Sequence, residues 1–215
     1  MEKNKIISAH DKEAKSYDSQ VKEYDSYGHE VLFGMCFEFV KPDEKLLDLG
    51  IGTGLASINF SKIGLEIYGV DASQEMLNVC KTKSFTSQLL LHNISEMPIP
   101  FDDSFFNHVI CCGVLHFFDD LTRFFSEVKR VIRKDGIFAF TISPSNLLKS
   151  NEGYNDFIES PTGWGVSIYK HSQEYINNLL KNSGFELKKE QRVLLKDADK
   201  KKHNMEFSVL ITRCL

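Results

Sequence analysis

"LLDLGIGTGLAS", residues 46–57, places Gly50, Gly52 and Gly54 at every second position directly after a short apolar run. Such a run bounded by glycines reads as a buried strand. Glycines at its end free the backbone for a tight turn and for close approach of a ligand. The spacing is not the G-x-G-x-x-G of a dinucleotide fingerprint, because Leu55 stands in the slot of the third glycine. A G-K-[ST] ending is also absent, which excludes a phosphate-gripping P-loop.

Strand and helix signals alternate on both sides of this stretch. "KLLDL" (45–49) is the first strand, and residues 54–63 read as a helix that Gly64 closes. "EIYGVD" (66–71) is the second strand. Ser73 caps a helix to about 85, with Glu75 adding negative charge in its first turn. "QLLLHN" (88–93) is the third strand, and "NHVICCG" (107–113) the fourth, apolar throughout as a strand covered on both faces is. Residues 119–133 form an amphipathic helix with Leu121, Phe124, Phe125, Val128 and Ile132 on one face. Gly136 precedes a fifth strand, "IFAFTIS" (137–143). Ser172 caps a helix to about 183, which Gly184 ends, and strands at 185–194 and 205–213 follow. Ahead of the alternation lie helical stretches at about 9–20 and 27–40, the latter stopped by Pro42.

This order predicts an α/β, doubly wound, mostly parallel seven-stranded sheet, Rossmann-like, with the last strand antiparallel and helices on both faces. The last two strands follow each other with only a turn between them, so they pair antiparallel or straddle others. Ligands of such sheets bind at the carboxyl ends of the strands, where strand order reverses, and residues 50–54 belong at that point.

The 215 residues suit one domain. A net charge of −4 gives no global attraction for phosphate backbones, which argues against a nucleic-acid partner. The lysine-rich "KDADKKKH" (196–203) is diluted by its own aspartates and reads as a solvated turn. No stretch has the ~18–20 continuous apolar residues of a membrane span. The charged N-terminus lacks the apolar core of a signal peptide, so a cytoplasmic location is expected. Cys36, Cys80, Cys111, Cys112 and Cys214 show no C-x-x-C spacing and read as small hydrophobes. His92, His108 and His203 lack metal-ligand spacing, and no metal is expected.

Two carboxylates flank the loop. Asp48, inside the first strand end, would repel a pyrophosphate; it would hold the loop by accepting backbone N–H bonds or order water toward an amine. Asp71 closes the second strand, where an acid accepts hydrogen bonds from both ribose hydroxyls and rejects a 2′-phosphate. The expected ligand is an adenosine derivative without phosphate, carrying a positive or zwitterionic tail.

"LLDLGIGTG", "YGVDAS", "VICCGVLHFF" and "VIRKDGIFAFTIS", in that order, resemble the successive motifs of class I S-adenosylmethionine-dependent methyltransferases. The likeness covers roughly residues 43–143, and 172–187 resembles the late helix and strand of the same group. The nearest branch is the small-molecule, ubiquinone-biosynthesis type, which "AKSYD" (14–18) also resembles. The resemblance implies S-adenosyl-L-methionine as cofactor and S-adenosyl-L-homocysteine as product. It divides the chain into a helical cap (1–42), a cofactor-binding core (43–143), a substrate-covering segment (144–170) and a terminal helix with a strand pair (171–215). Gly50, Ile51 and Gly52 would admit the methionine part beside the backbone, with Asp48 supporting loop and amino group. Asp71 would take the ribose, and Ala72 and Met76 would lie on the adenine. Asn93 would bond the exocyclic amine, and Ile94 would offer an N–H. Cys111 and Cys112 would line the sulfonium end, and Tyr17 would reach the carboxylate. Asn93 departs from the family's usual aspartate, and "KDG" (134–136) from its Pro-Gly-Gly. "CCGV" replaces the Asn/Asp-Pro-Pro-aromatic motif of enzymes that methylate adenine or glutamine nitrogen.

Methyl transfer from a sulfonium is an in-line displacement needing position and desolvation, and a base only if the acceptor must lose a proton. His116, in "GVLHFFDD", is the candidate base. Tyr154, Phe157, Trp164 and Tyr169 lie in a segment, 144–170, that reads as a loop folding over a small-molecule acceptor. Two other functions stay open at this level: a non-catalytic binder of the same nucleoside, and an NAD-dependent oxidoreductase. Monomer and homodimer are both compatible with the sequence.

Overall fold

The computed structural model describes residues 2–145, 156–162, 166–196 and 204–215. Strand β1 (Lys45–Leu49) is the centre of a seven-stranded sheet. It pairs parallel with β2 (Glu66–Asp71) on one side and β4 (Phe106–Cys111) on the other. The full order is β3-β2-β1-β4-β5-β10-β9, with β3 Thr86–Leu91, β5 Ile132–Ile142, β9 Phe185–Lys196 and β10 Asn204–Cys214. Only β10 runs against its neighbours, pairing antiparallel with both β5 and β9. The expected sheet is therefore present, and its strand order reverses between β1 and β4, beside residues 50–54.

Alternating side chains build a core on each face, as the two-residue period of a strand requires. Leu47, Val109, Phe138, Phe140 and Leu210 face one cluster, where Phe125 and Val128 of α6 (Thr122–Val131) and Ile176 of α7 (Gln173–Asn182) meet them. Leu46, Ile110, Ala139 and Val209 face the other. There Leu32 of α3 (Gly28–Cys36), Phe60 of α4 (Ile58–Lys62) and Leu77 of α5 (Gln74–Thr82) pack. Both predicted serine caps are made. Ser73 accepts the Met76 N–H at 3.1 Å and Ser172 the Tyr175 N–H at 3.0 Å.

Several boundaries differ. The helix expected over 9–20 is two, α1 (Glu2–Glu13) and α2 (Tyr17–Glu23), separated by a turn. The helix expected over 54–63 shrinks to Ile58–Lys62, because Gly54 at φ +87° holds the chain in a turn. Strand β4 stops at Cys111, just before Gly113 turns at φ +76°. Strand β5 begins at Ile132 with no break after α6, so Gly136 lies within it.

The 144–170 segment is not a plain loop where it is described. Strands β6 (Pro144–Ser145), β7 (Phe157–Pro161) and β8 (Ser167–Ser172) form a separate three-stranded sheet, ordered β6-β8-β7. Phe157 and Tyr169 meet edge to face across it, 5.3 Å between centroids. Tyr154, Trp164, His203 and residues 197–203 of the lysine-rich run lie outside the described residues. Among the described residues no helix is long and apolar enough to cross a membrane.

Candidate active site

A cleft of about 830 Å³, counted to its open mouth, lies at the carboxyl ends of β1, β2 and β4. Its floor is the glycine turn. The Gly50 and Ile51 N–H groups both donate to the Val70 carbonyl, at 2.9 and 3.0 Å, and the Gly54 N–H donates to Ile51 O at 2.8 Å. The Gly52 N–H donates to Asp71 Oδ2 at 2.8 Å. A phosphate cradle needs such amides aimed outward at the ligand; here these four turn inward. Gly50, at φ +76°, also has no room for a side chain, since a Cβ would stand 2.4 Å from Val114 Cγ2. Ile51 sends its side chain away from the cleft, onto the bare backbone of Gly69, where an added Cβ would meet it at 2.4 Å.

Asp71 organises this wall. Its second oxygen, Oδ1, accepts the Ser73 N–H at 2.8 Å. Burial raises its pKa, while the bonds from Ser73 and Gly52 and the nearby His10 oppose that rise. Each carboxylate oxygen keeps a further lone pair for a hydroxyl donor. Ala72, Ser73, Met76, Asn93 and Ile94 continue the lining. The Asn93 side-chain oxygen accepts the Ser95 N–H at 3.0 Å, so it also shapes its own turn.

The outer wall comes from the first two helices. Ile6, Ile7 and His10 of α1 and Tyr17 at the start of α2 line the cleft. Two aspartates fix these helices in place. Asp11 accepts from the Ser73 hydroxyl at 2.5 Å, and Asp18 accepts from the Thr53 hydroxyl at 2.5 Å and pairs with Lys83 at 2.6 Å. Burial and the surrounding acids push the Tyr17 hydroxyl up to about 12.

Four expected residues are placed differently. Cys111 points into the core, fully buried, and only its neighbour Cys112 lines the cleft, because adjacent strand residues face opposite ways. Ile51, expected beside the ligand, is buried and lies outside the cleft lining, its N–H and carbonyl both used within the turn. Asp48 is 1% exposed, lies outside the cleft lining, and neither carboxylate oxygen makes a hydrogen bond. Burial drives its pKa to about 7, and the nearby Asp71 pushes the same way. The support of the loop expected of Asp48 is supplied instead by Asp71. His116 also lies outside the lining: its ring is buried against Phe117 and Phe207, at 4.2 and 5.6 Å between centroids, and its Nδ1 has no partner. Desolvation, with His10 and His171 nearby, holds it down at about 3. An imidazole this hard to protonate is a poor base.

No sequence signal points to Ile6, Ile7 or His10, which sit on a mostly polar helix. Val114, Phe117 and Phe118 follow β4 in "VLHFF" and were within reach: aromatic residues just past a strand end at the reversal point are candidates for a ligand wall. Among the described residues no group of three His, Cys, Asp or Glu is placed to hold a metal.

Residues 47–140, a little under half of the chain, match the family model of the methyltransferase domain. The resemblance to the S-adenosylmethionine-dependent methyltransferases is thereby upheld. Among curated relatives, YqeM of Bacillus subtilis is 36% identical over 106 residues, 47% of this chain and 43% of that protein. The malonyl-[acyl-carrier protein] O-methyltransferase of Serratia marcescens is 30% identical over 147 residues, 68% of this chain and 56% of that one. The chain spans about half the length of the curated relatives it matches. The 1,6-didemethyltoxoflavin-N1-methyltransferase of Burkholderia thailandensis, crystallised with 1,6-didemethyltoxoflavin and S-adenosylhomocysteine, superposes with a TM-score of 0.71. That match covers 100% of this chain and 90% of the other at 16% identity, a likeness of fold.

Proposed function

We propose that the protein is an S-adenosylmethionine-dependent methyltransferase acting on a small-molecule acceptor. The observation that carries this is the pairing of Asp71 with the inward-turned glycine amides. With four loop N–H groups donating inside the protein, the turn is ill suited to the pyrophosphate of a dinucleotide, and an oxidoreductase reading loses its main support. The turn's carbonyls suit an ammonium group, Asp71 suits two sugar hydroxyls, and Met76 and Ile94 suit the faces of a purine. These residues fit S-adenosylmethionine, with Tyr17 and Cys112 beside its amino-acid end.

When bound, that nucleoside supplies a methyl group already activated by the sulfonium charge. The chain's task is to hold an acceptor in line with it and to keep water out. Apolar Ile6, Ile7, Val114, Phe117 and Phe118 serve the exclusion of water. Relatives named for malonyl-carrier and demethylmenaquinone methylation agree with an acceptor outside nucleic acid.

Calorimetry with S-adenosylhomocysteine tests this reading. Asp71→Asn keeps one acceptor oxygen and should weaken binding about 10-fold or more, from loss of charge-assisted bonds of ~1.5–3 kcal/mol each. NAD should give no heat. Equal affinity in the Asn variant, or binding of NAD alone, would overturn it.

A further inference from the structure

We propose that Asp11 of α1 is a positioning residue for the nucleoside: its bond to Ser73 latches the α1–α2 cap onto the turn that sets Asp71. The inference rests on the methyltransferase reading and adds to it a residue outside the cleft lining. Asp71 is held from both sides. Its Oδ2 accepts the Gly52 N–H at 2.8 Å and its Oδ1 the Ser73 N–H at 2.8 Å. Each cap helix grips one of these two donating segments. Asp11 of α1 accepts the Ser73 hydroxyl at 2.5 Å. Asp18 of α2 accepts, at 2.5 Å, the hydroxyl of Thr53, the residue after Gly52. The cap is thus bonded to the two segments that orient the carboxylate assigned to the ribose.

Proton accounting gives the Ser73 bond its direction. Ser73 Oγ accepts the Met76 N–H at 3.1 Å as the N-cap of α5. A hydroxyl has one proton to give, and the Asp11 carboxylate takes it. Ser73 is 2% exposed, so that proton finds no solvent while the cap is seated. The same Asp11 oxygen lies 3.4 Å from the Glu75 nitrogen in the first turn of α5, where a negative charge is favoured.

The cap has little apolar anchorage of its own. No described residue of α1 or α2 is buried. Ile6 and Ile7 line the cleft, and Asp11 follows Ile7 by one helical turn. An element with few buried apolar contacts opens at low free-energy cost. A nucleoside in the cleft supplies α1 with such contacts, so a bound nucleoside and a docked cap strengthen each other by the same factor. Removing Asp11 leaves the Ser73 hydroxyl unpaired and frees α1 to lift, while the Asp71 side chain itself is unaltered.

The test follows loss of radiolabelled S-adenosylmethionine from the full chain, chased with unlabelled S-adenosylhomocysteine. Amide hydrogen exchange over residues 2–23, with and without S-adenosylhomocysteine, is measured beside it. In the wild type the nucleoside should slow exchange across 2–23. In Asp11→Ala the label should leave about 10-fold faster, the scale of a lost charge-assisted bond. The added protection of 2–23 should shrink, while slow exchange in β1, β4 and β5 reports a folded core. Asp11→Asn keeps a side-chain oxygen for the Ser73 proton and should bring release to within about 3-fold of the wild type. Ser73→Ala removes the bond from its other side; should Asp11→Ala lose core protection, the same two changes are read there. Unchanged release in Asp11→Ala, release from Asp11→Asn as fast as from Asp11→Ala, or equal nucleoside-induced protection of 2–23 in wild type and Asp11→Ala would each overturn the inference. A wild type that binds neither nucleoside would instead overturn the methyltransferase reading beneath it.

Discussion

The Asp18 carboxylate accepts the Thr53 hydroxyl at 2.5 Å, joining the second helix to the glycine turn across 35 residues of sequence. Thr53 is 1% exposed, and the second Asp18 oxygen holds Lys83 at 2.6 Å. The wall that carries Tyr17 is thus tied to the floor that carries Gly52. Replacing Asp18 by Ala leaves a buried hydroxyl unpaired. We expect a loss of about 1–2 kcal/mol in urea unfolding, the exposed share of the Lys83 pair contributing little. Affinity for S-adenosylhomocysteine should fall with it in calorimetry.

Gly50 and Gly52 should respond differently to alanine. Both have positive φ, +76° and +54°, so each substitution carries backbone strain of ~1–2 kcal/mol. Only at Gly50 does the new Cβ also strike a neighbour, Val114 at 2.4 Å; at Gly52 nothing lies within 4 Å. Thermal unfolding should therefore rank wild type above Gly52→Ala above Gly50→Ala. Equal melting temperatures for the two variants would contradict the contact.

Asp48 should make the protein less stable as pH rises. Its folded pKa, about 7, lies above the ordinary 3.8, so the folded state holds a proton that the unfolded chain releases between these values. Stability then falls by up to ~1.4 kcal/mol per pH unit from pH ~4 to ~7 and levels off above. In Asp48→Asn this arm should vanish. Denaturant unfolding at pH 5 and pH 8 checks it: the variant must gain on the wild type toward pH 8.

His116 acts with the opposite sign. Held at about 3 when folded against an ordinary 6.5, it leaves the unfolded chain binding the extra proton. Its contribution is complete above pH ~6.5 and is lost as pH drops toward 3. His116→Leu should flatten this acid-side loss; part of the slope remains, because burial also lowers His171 and His108. Between pH 4 and 6.5 Asp48 and His116 oppose each other, so relative to the wild type Asp48→Asn should gain stability as pH rises and His116→Leu should lose it.

The strand positions, the reversal point and the acid at position 71 were all legible in the sequence. Each rests on a local signal: apolar runs set off by glycines, serine caps, and an aspartate at a strand's end. The helix boundaries near Gly54 and Gly136 were less so, because a glycine marks a turn without saying on which side of it the regular structure resumes.

The sequence by itself determined the sheet, the glycine turn and which neighbouring residues face opposite ways. Only the tertiary structure decided which of Cys111 and Cys112 meets the cleft, since a period of two fixes alternation but not the face that stays open. It also buried Asp48 and His116, whose surroundings come from distant segments such as Phe207 of β10. And it brought Ile6, Ile7 and His10 over the site. A largely polar helix carries no pattern naming its partner, and side-chain bonds such as Asp11 to Ser73 exist only once the chain has folded.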